Sequence, residues 1–132
     1  ASQGAIVLTS STAGIYGFPN RAPYAAAKWA IIGLMKTLAM EWGPAGVRAN
    51  AICPGAVEGP RMQGVMEREA HAKGTSYQKI YDGYAGGTSM RSLVTAEDVA
   101  NMALFLCSSG ARLVSGQVIA VDGHTENPDP KV

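Results

Sequence analysis

The chain has 132 residues, 47% of them hydrophobic and 16% charged, with a formal net charge of +1. This length suits one domain, and an apolar, nearly neutral composition excludes an intrinsically disordered chain. The 11 basic and 10 acidic residues leave no excess of positive charge for displacing counterions from phosphates, so no nucleic-acid partner is expected.

Residues 4–10 form a nearly continuous apolar run, the pattern of a strand covered on both faces in a parallel sheet. Small and turn-forming residues follow, with Gly14, Gly17 and Pro19 breaking any regular pattern. Pro23 suits the first turn of a helix, which has few breakers from Tyr24 until Gly43-Pro44. Within it Ile31, Leu34, Met35, Leu38 and Trp42 keep helical spacing, and Ile32 and Met40 widen the apolar surface. Such a helix is expected to pack on a sheet with one side and on a further partner with the other. Val47–Cys53 reads as a second strand, ended by Pro54-Gly55.

Residues 56–90 are small, polar and glycine-rich, with short helices expected around 61–73 and 77–84. A connection this long inside a compact domain is usually functional, often as a lid. Thr95-Ala-Glu-Asp98 predicts a helix N-cap, with Val99, Met102, Ala103 and Leu106 as the buried stripe. Gln117–Val121 predicts the last strand, leading into Asp122-Gly123. The tail after His124 carries Pro128 and Pro130, and residues 126–132 are expected to be flexible. Strand, helix, strand, lid, helix, strand is an α/β pattern with parallel pairing.

No apolar run reaches the roughly 18 residues of a membrane span, the longest being interrupted by Lys28, Gly33 and Lys36. No signal peptide opens the chain, so no membrane is expected among its partners. Cys53 and Cys107 lie in apolar surroundings without a Cys-x-x-Cys spacing or a nearby histidine. They read as buried free thiols of a reducing compartment, which places the protein in the cytoplasm. His71 and His124 are too far apart in sequence to spell a metal site.

Three motifs carry chemistry. Tyr24-x-x-x-Lys28 opens a helix, and a spacing of four puts both side chains on one face. An ammonium beside a phenol favours the phenolate, and a phenol tuned in this way can exchange a proton with a carbonyl oxygen near neutral pH. The same spacing also arises from a solvent-facing lysine beside a packing tyrosine, so the context decides. Ser10-Ser11 ends the first strand, on the side where open α/β sheets bind ligands, although a serine pair there also makes ordinary turns. Asn50-Ala-Ile-Cys-Pro54-Gly55 ends a buried strand in a fixed bend that lets a ligand approach the backbone.

Together these elements resemble the short-chain dehydrogenase/reductase family over nearly the whole chain. Tyr24 and Lys28 match its catalytic motif with Ala25-Ala26-Ala27 between them, and Ser11 lies 13 residues before Tyr24. Glu41–Asn50, Thr95–Ala100 and Ser115–Gly123 resemble the end of the family's catalytic helix, its last helix and its last strand. The resemblance implies an α/β fold, the C-terminal half of a doubly wound parallel-sheet Rossmann fold with about three parallel strands, flanking helices and a lid at 59–90. It implies NAD or NADP as cofactor and hydride exchange between nicotinamide and a ketone or secondary alcohol.

In this alignment Ser11 polarises the substrate carbonyl, with Ser10 as the alternative one position away. Tyr24 is the acid or base, and Lys28 holds the nicotinamide ribose. Pro54, Gly55 and Val57 lie along the nicotinamide. The family often has a threonine five positions after that proline; here the position is Gly59, followed by Pro60. Met62, Met66, Tyr77, Tyr81 and Tyr84 are candidates for lining the lid, with plain packing as the more ordinary role. The lid composition implies a pocket of mixed polarity without a charge cluster for an anionic substrate.

The family's glycine-rich Gly-x-x-x-Gly-x-Gly, its Asn-Asn-Ala-Gly segment and its helix-borne catalytic asparagine have no counterpart here. The sequence therefore resembles strands five to seven of a seven-stranded sheet, residues 1–125 forming the half-domain. The first strand is expected to present an unpaired edge, so a complementary N-terminal half or a homo-oligomer is expected as partner and an isolated folded monomer is not. Two other readings stand beside the oxidoreductase: a non-catalytic fragment or split subunit that supplies assembly surfaces, and an extended-family epimerase or dehydratase.

Overall fold

The computed structural model describes residues 3–128. Its sheet has three strands, β1 (Gly4–Thr9), β2 (Val47–Pro54) and β3 (Val118–Val121), in the spatial order β1-β2-β3. All pairing is parallel, with Gly4 opposite Val47 and Thr9 opposite Ile52 on one side of β2. Ala51 opposite Val118 and Pro54 opposite Val121 fix the other side. The expected α/β architecture is therefore present, with β1 at the sheet edge.

Parallel strands need long crossovers, and helices supply them. Helix α1 (Ala22–Trp42) joins β1 to β2, and α4 (Ala96–Cys107) precedes β3. Alternation along β2 sends Ala49, Ala51 and Cys53 to the α1 side, where they form a core with Ile32 and Met35. Arg48, Asn50 and Ile52 point to the opposite face, where Arg48 donates to the Leu106 carbonyl of α4 at 2.6 Å. The buried stripe of α1 is Ile32 and Met35, flanked by Leu38 and Ala39. This stripe is rotated from the expected one, because Leu34 and Trp42 are half exposed and Met40 is 81% exposed. Short alanines on β2 admit the stiff Ile32 and the flexible Met35, so the sheet selects which arc of an evenly apolar helix is covered.

Asn50 is buried on the α4 side of β2. Its amide nitrogen donates to the Val114 carbonyl at 2.9 Å, and its oxygen accepts from the Gln117 backbone amide at 3.1 Å. One side chain thus satisfies two backbone groups of the turn that feeds β3. The expected N-cap of α4 is a complete capping box: Asp98 N donates to Thr95 Oγ1, and Thr95 N donates to Asp98 Oδ2. Of the expected α4 stripe, Leu106 is fully buried.

The lid connection folds into two helices, α2 (Pro60–Lys73) and α3 (Tyr77–Gly86), with a core of their own around Met66, Ala70, Ile80 and Leu93. Both helices match the expected positions, with α2 one residue and α3 two residues longer than read. Two expectations need correction. Cys53 is buried as expected, but Cys107 is exposed, because it closes α4 beyond the reach of the sheet. The tail after His124 is tied down over its described part: Glu126 and Asn127 donate their backbone amides to the Gly87 carbonyl at 2.8 and 2.9 Å, and Thr125 bridges Thr88. Residues 129–132, the rest of the expected flexible tail, lie outside the described residues.

Replacing Asn50 with Ala leaves the part-buried Val114 carbonyl and Gln117 amide without their side-chain partner. A loss of about 1–3 kcal/mol in denaturant unfolding is expected. Acid should act on α4 through Asp98, whose carboxyl is held below its ordinary range chiefly by the hydrogen bond from the Thr95 backbone amide. A lowered folded value stabilises the fold above the ordinary aspartate range and loses that contribution as pH falls through the lowered value. Stability curves of Asp98→Asn should therefore lie below wild type at neutral pH and converge with it in acid.

Candidate active site

At the C-terminal ends of the strands lies an open cleft of about 760 Å³. Ser10 and Ser11 from the end of β1, Tyr24 and Lys28 from α1, and Pro54, Gly55 and Val57 after β2 all line it. The structure therefore gathers every site residue read from the sequence. The two serines differ in environment. Ser10 is 3% exposed, and its hydroxyl donates to the Lys28 backbone carbonyl at 2.8 Å. It ties the end of the strand to the second turn of α1, so it positions the helix. Ser11 caps the 3-10 turn Thr12–Gly14, its hydroxyl oxygen accepting from the Ala13 amide at 3.1 Å. That contact uses a lone pair and leaves the O–H proton of Ser11 to donate into the cleft.

Gly14 makes the Ser10 bond sterically possible. A Cβ on it would overlap the Ser10 hydroxyl and stand 3.0 Å from the Lys28 carbonyl oxygen. Pro23 occupies the first turn of α1, placing Tyr24 at the mouth of the cleft, where it is 37% exposed. One turn on, the Lys28 ammonium nitrogen lies 5.5 Å from the Tyr24 ring centroid. Among the described residues neither the Tyr24 hydroxyl nor the Lys28 ammonium is held by a protein hydrogen bond, so both face the cleft unspent.

The segment after β2 is held from behind. Gly55 N donates to the Val121 carbonyl at 3.0 Å, and a Cβ on Gly55 would come within 2.9 Å of Asp122 Cβ. Val94 N donates to Ala56 O at 3.1 Å, and Glu58 N donates to Val94 O at 2.8 Å. In this parallel bridge between Val57 and Val94, the N–H and C=O of Val57 itself point the other way. Among the described residues they have no partner. One free donor beside one free acceptor on a cleft wall matches a primary carboxamide, which offers one of each. Gly59, at the position where the resembled family often has threonine, has φ +150°, a region strained for any side chain.

Cys53 lies under this floor. Burial pushes its thiol up, outweighing the opposing effect of its polar neighbours Ser10 and Ser11, so it stays protonated packing rather than a nucleophile. Of the lid candidates, Met62 and Tyr84 reach the cleft, whereas Met66 is 2% exposed in the lid core. Tyr77 and Tyr81 pack against each other with centroids 6.3 Å apart, and Tyr81 donates to Glu58 Oε1 at 2.6 Å.

The sequence reading missed several wall residues. Arg21 and Arg61 line the cleft from the start of α1 and of α2, two cations in a pocket expected from composition to be of mixed polarity without a charge cluster. The signal was an arginine at a helix start, where an acid is favoured. Thr125, Asn127 and Pro128 from the tail also reach the cleft, and nothing local in the sequence marks them.

Substituting Gly14 with Ala should separate Ser10 from Lys28 and swing the Tyr24–Lys28 pair. Gly17, which has open space around its Cβ direction, is the control. A loss of roughly 1–3 kcal/mol is expected for Gly14→Ala. Gly17→Ala should stay within about 1 kcal/mol of wild type in the same thermal unfolding series.

Comparison with known proteins places this geometry. Residues 1–124 match the model of a family described as enoyl-(acyl carrier protein) reductase. A 3-oxoacyl-(acyl-carrier-protein) reductase of Thermotoga maritima is 39% identical over 120 residues, which are 91% of this chain and 44% of that protein. The solved structure of a variant of actinorhodin polyketide ketoreductase with NADPH is similar at a TM-score of 0.87 and 33% identity, covering 95% of this chain and 48% of that one. A xylitol dehydrogenase structure with NAD+ bound gives a TM-score of 0.83 at 28% identity, over 91% of this chain and 48% of that chain. The chain thus spans about half the length of the relatives it matches.

Proposed function

Since the chain belongs to the short-chain dehydrogenase/reductase family, we propose that it supplies the catalytic half of an NAD(P)-dependent oxidoreductase acting on a ketone or secondary alcohol. The observation that carries this reading is a single cleft holding the Ser11 hydroxyl, the Tyr24 phenol, the Lys28 ammonium and the unpaired amide and carbonyl of Val57.

When bound, the nicotinamide cofactor supplies or accepts the hydride. Val57 would hold the carboxamide through its free N–H and C=O, Gly55 leaves room there for the ring to approach, and Lys28 would hold the ribose hydroxyls. In the reducing direction Tyr24 gives its phenolic proton to the carbonyl oxygen, and in the oxidising direction it takes the proton from the alcohol. Ser11 donates a hydrogen bond to that same oxygen, where negative charge develops. The Lys28 ammonium beside the ring stabilises the phenolate left behind.

The choice between NAD and NADP belongs to a complementary dinucleotide-binding half, which pairs with the outer edge of β1. Trp29, Leu34, Met40 and Trp42, all 50% or more exposed on α1, support a homo-oligomer built on that helix. The free thiols of Cys53 and Cys107 support a reducing, cytoplasmic setting.

The test is reduction of simple ketones by the complete enzyme, followed through the reduced cofactor. Tyr24→Phe should keep cofactor binding and lose about 10²–10⁴-fold in kcat. Ser11→Ala should lose roughly 10²-fold or more, whereas Ser10→Ala, by releasing the helix that carries Tyr24 and Lys28, should lower stability and turnover together. Retained turnover in Tyr24→Phe excludes this acid.

A further inference from the structure

Two of the helices that open onto the cleft start the wrong way round. The N-terminus of a helix carries partial positive charge and favours acidic side chains. Yet α1 has Arg21 as its N-cap and no acid in its first turn, and α2 has Arg61 in its first turn and no acid there either. By contrast α4, whose first-turn residues do not line the cleft, carries Glu97 and Asp98. Arg21 makes no capping bond; its guanidinium lies over the Phe18 ring, 5.6 Å from the centroid. Among the described residues Arg61 has no hydrogen bond or ion pair. Arg21 gains only this cation–π contact, and Arg61 no polar contact among the described residues, in return for the repulsion each brings to its helix.

The carboxylates of the cleft do not answer them. Glu58 and Asp122 are the acidic residues on its walls. Glu58 accepts from the Tyr81 hydroxyl, and Asp122 accepts from the backbone amides of His124 and Thr125 and from the Thr125 hydroxyl. Three cations, Arg21, Lys28 and Arg61, thus line the cleft without an anionic partner among the described residues. In a cleft with protein walls such charges reinforce one another at the centre.

We propose that Arg21 and Arg61 form an anion-receiving pair on the walls flanking Tyr24, so that the ligand of this site carries an anionic group alongside the reacting carbonyl. This rests on the oxidoreductase reading for the carbonyl but not for the anion. A carboxylate on the substrate and a phosphate of the cofactor are the two sources of such a group. A guanidinium fork fits either oxygen pair bidentately.

The probes are levulinate, a ketone with a carboxylate, and its neutral methyl ester, used with the complete enzyme. Both turnover and binding by titration calorimetry are measured. If the substrate is the source, levulinate is preferred over the ester by about 10-fold or more, the size of one hydrogen-bonded charge contact. That ratio then collapses in Arg21→Gln and Arg61→Gln, recovers in part in Arg61→Lys, and shrinks as salt is raised. If the cofactor is the source, the acid-to-ester ratio is the same in all variants, and the KM for NAD(P)H rises about 10-fold in the Gln variants. If neither the ratio nor the cofactor KM moves, the anion site is overturned. Should no ketone turn over while levulinate still binds in an arginine-dependent way, the oxidoreductase reading fails and the anion site stands.

Discussion

The site depends on a single buried hydrogen bond, from the Ser10 hydroxyl to the backbone carbonyl of Lys28. It joins the last turn of a strand to the helix that follows, across 18 residues of chain. Fixing Lys28 by its backbone fixes Tyr24 one turn earlier, because both ride on the same rigid helix. The bond is short only because Gly14 leaves no Cβ in the way. Three small residues, Ser10, Ser11 and Gly14, therefore divide the labour: one clamps, one faces the cleft and one makes room.

The remaining walls are set by pairing rather than by side-chain choice. Register between β2 and β3 puts Pro54 opposite Val121, so Gly55 and Asp122 leave the sheet side by side. Asp122 then turns the chain by accepting from His124 and Thr125, which brings the following residues back across the base of the lid. Gly87 receives two backbone amides from that segment, and Ser89 bonds both His124 and Glu126. The lid helices carry their own small core, but they are anchored to the sheet through this strap and through the Val57–Val94 bridge.

Where local rules are broken, the break points to the cleft. Arginines open two helices, and Gly59 sits at a φ that no side chain favours. Each costs something locally, and each faces the same space. The capping of α4, whose first turn does not line the cleft, follows every rule. Consistency away from the site and conflict at the site is the pattern expected when function has the stronger claim on those positions.

Much of this was legible in the residues alone. The apolar run at 4–10, the Pro23 start, the Gly43-Pro44 stop and the Thr95–Asp98 cap each act within a few residues, so the elements could be read in order. Tyr24 and Lys28 could be paired because helical spacing is itself a distance, and Ser11 and Gly55 because strand ends share one rim of a parallel sheet. Which arc of α1 is buried was not legible, since the helix is apolar nearly all round and the alanines of β2 make the choice. The exposure of Cys107, the division of roles between Ser10 and Ser11, and the presence of Arg21 and Arg61 on the walls of one cleft were not legible either. Each depends on atoms far apart in the chain, and a sequence carries distance along the backbone but not across the cleft. Local chemistry determined the elements and the Tyr24–Lys28 spacing; only the packing of the sheet and its helices decided what else would stand around them.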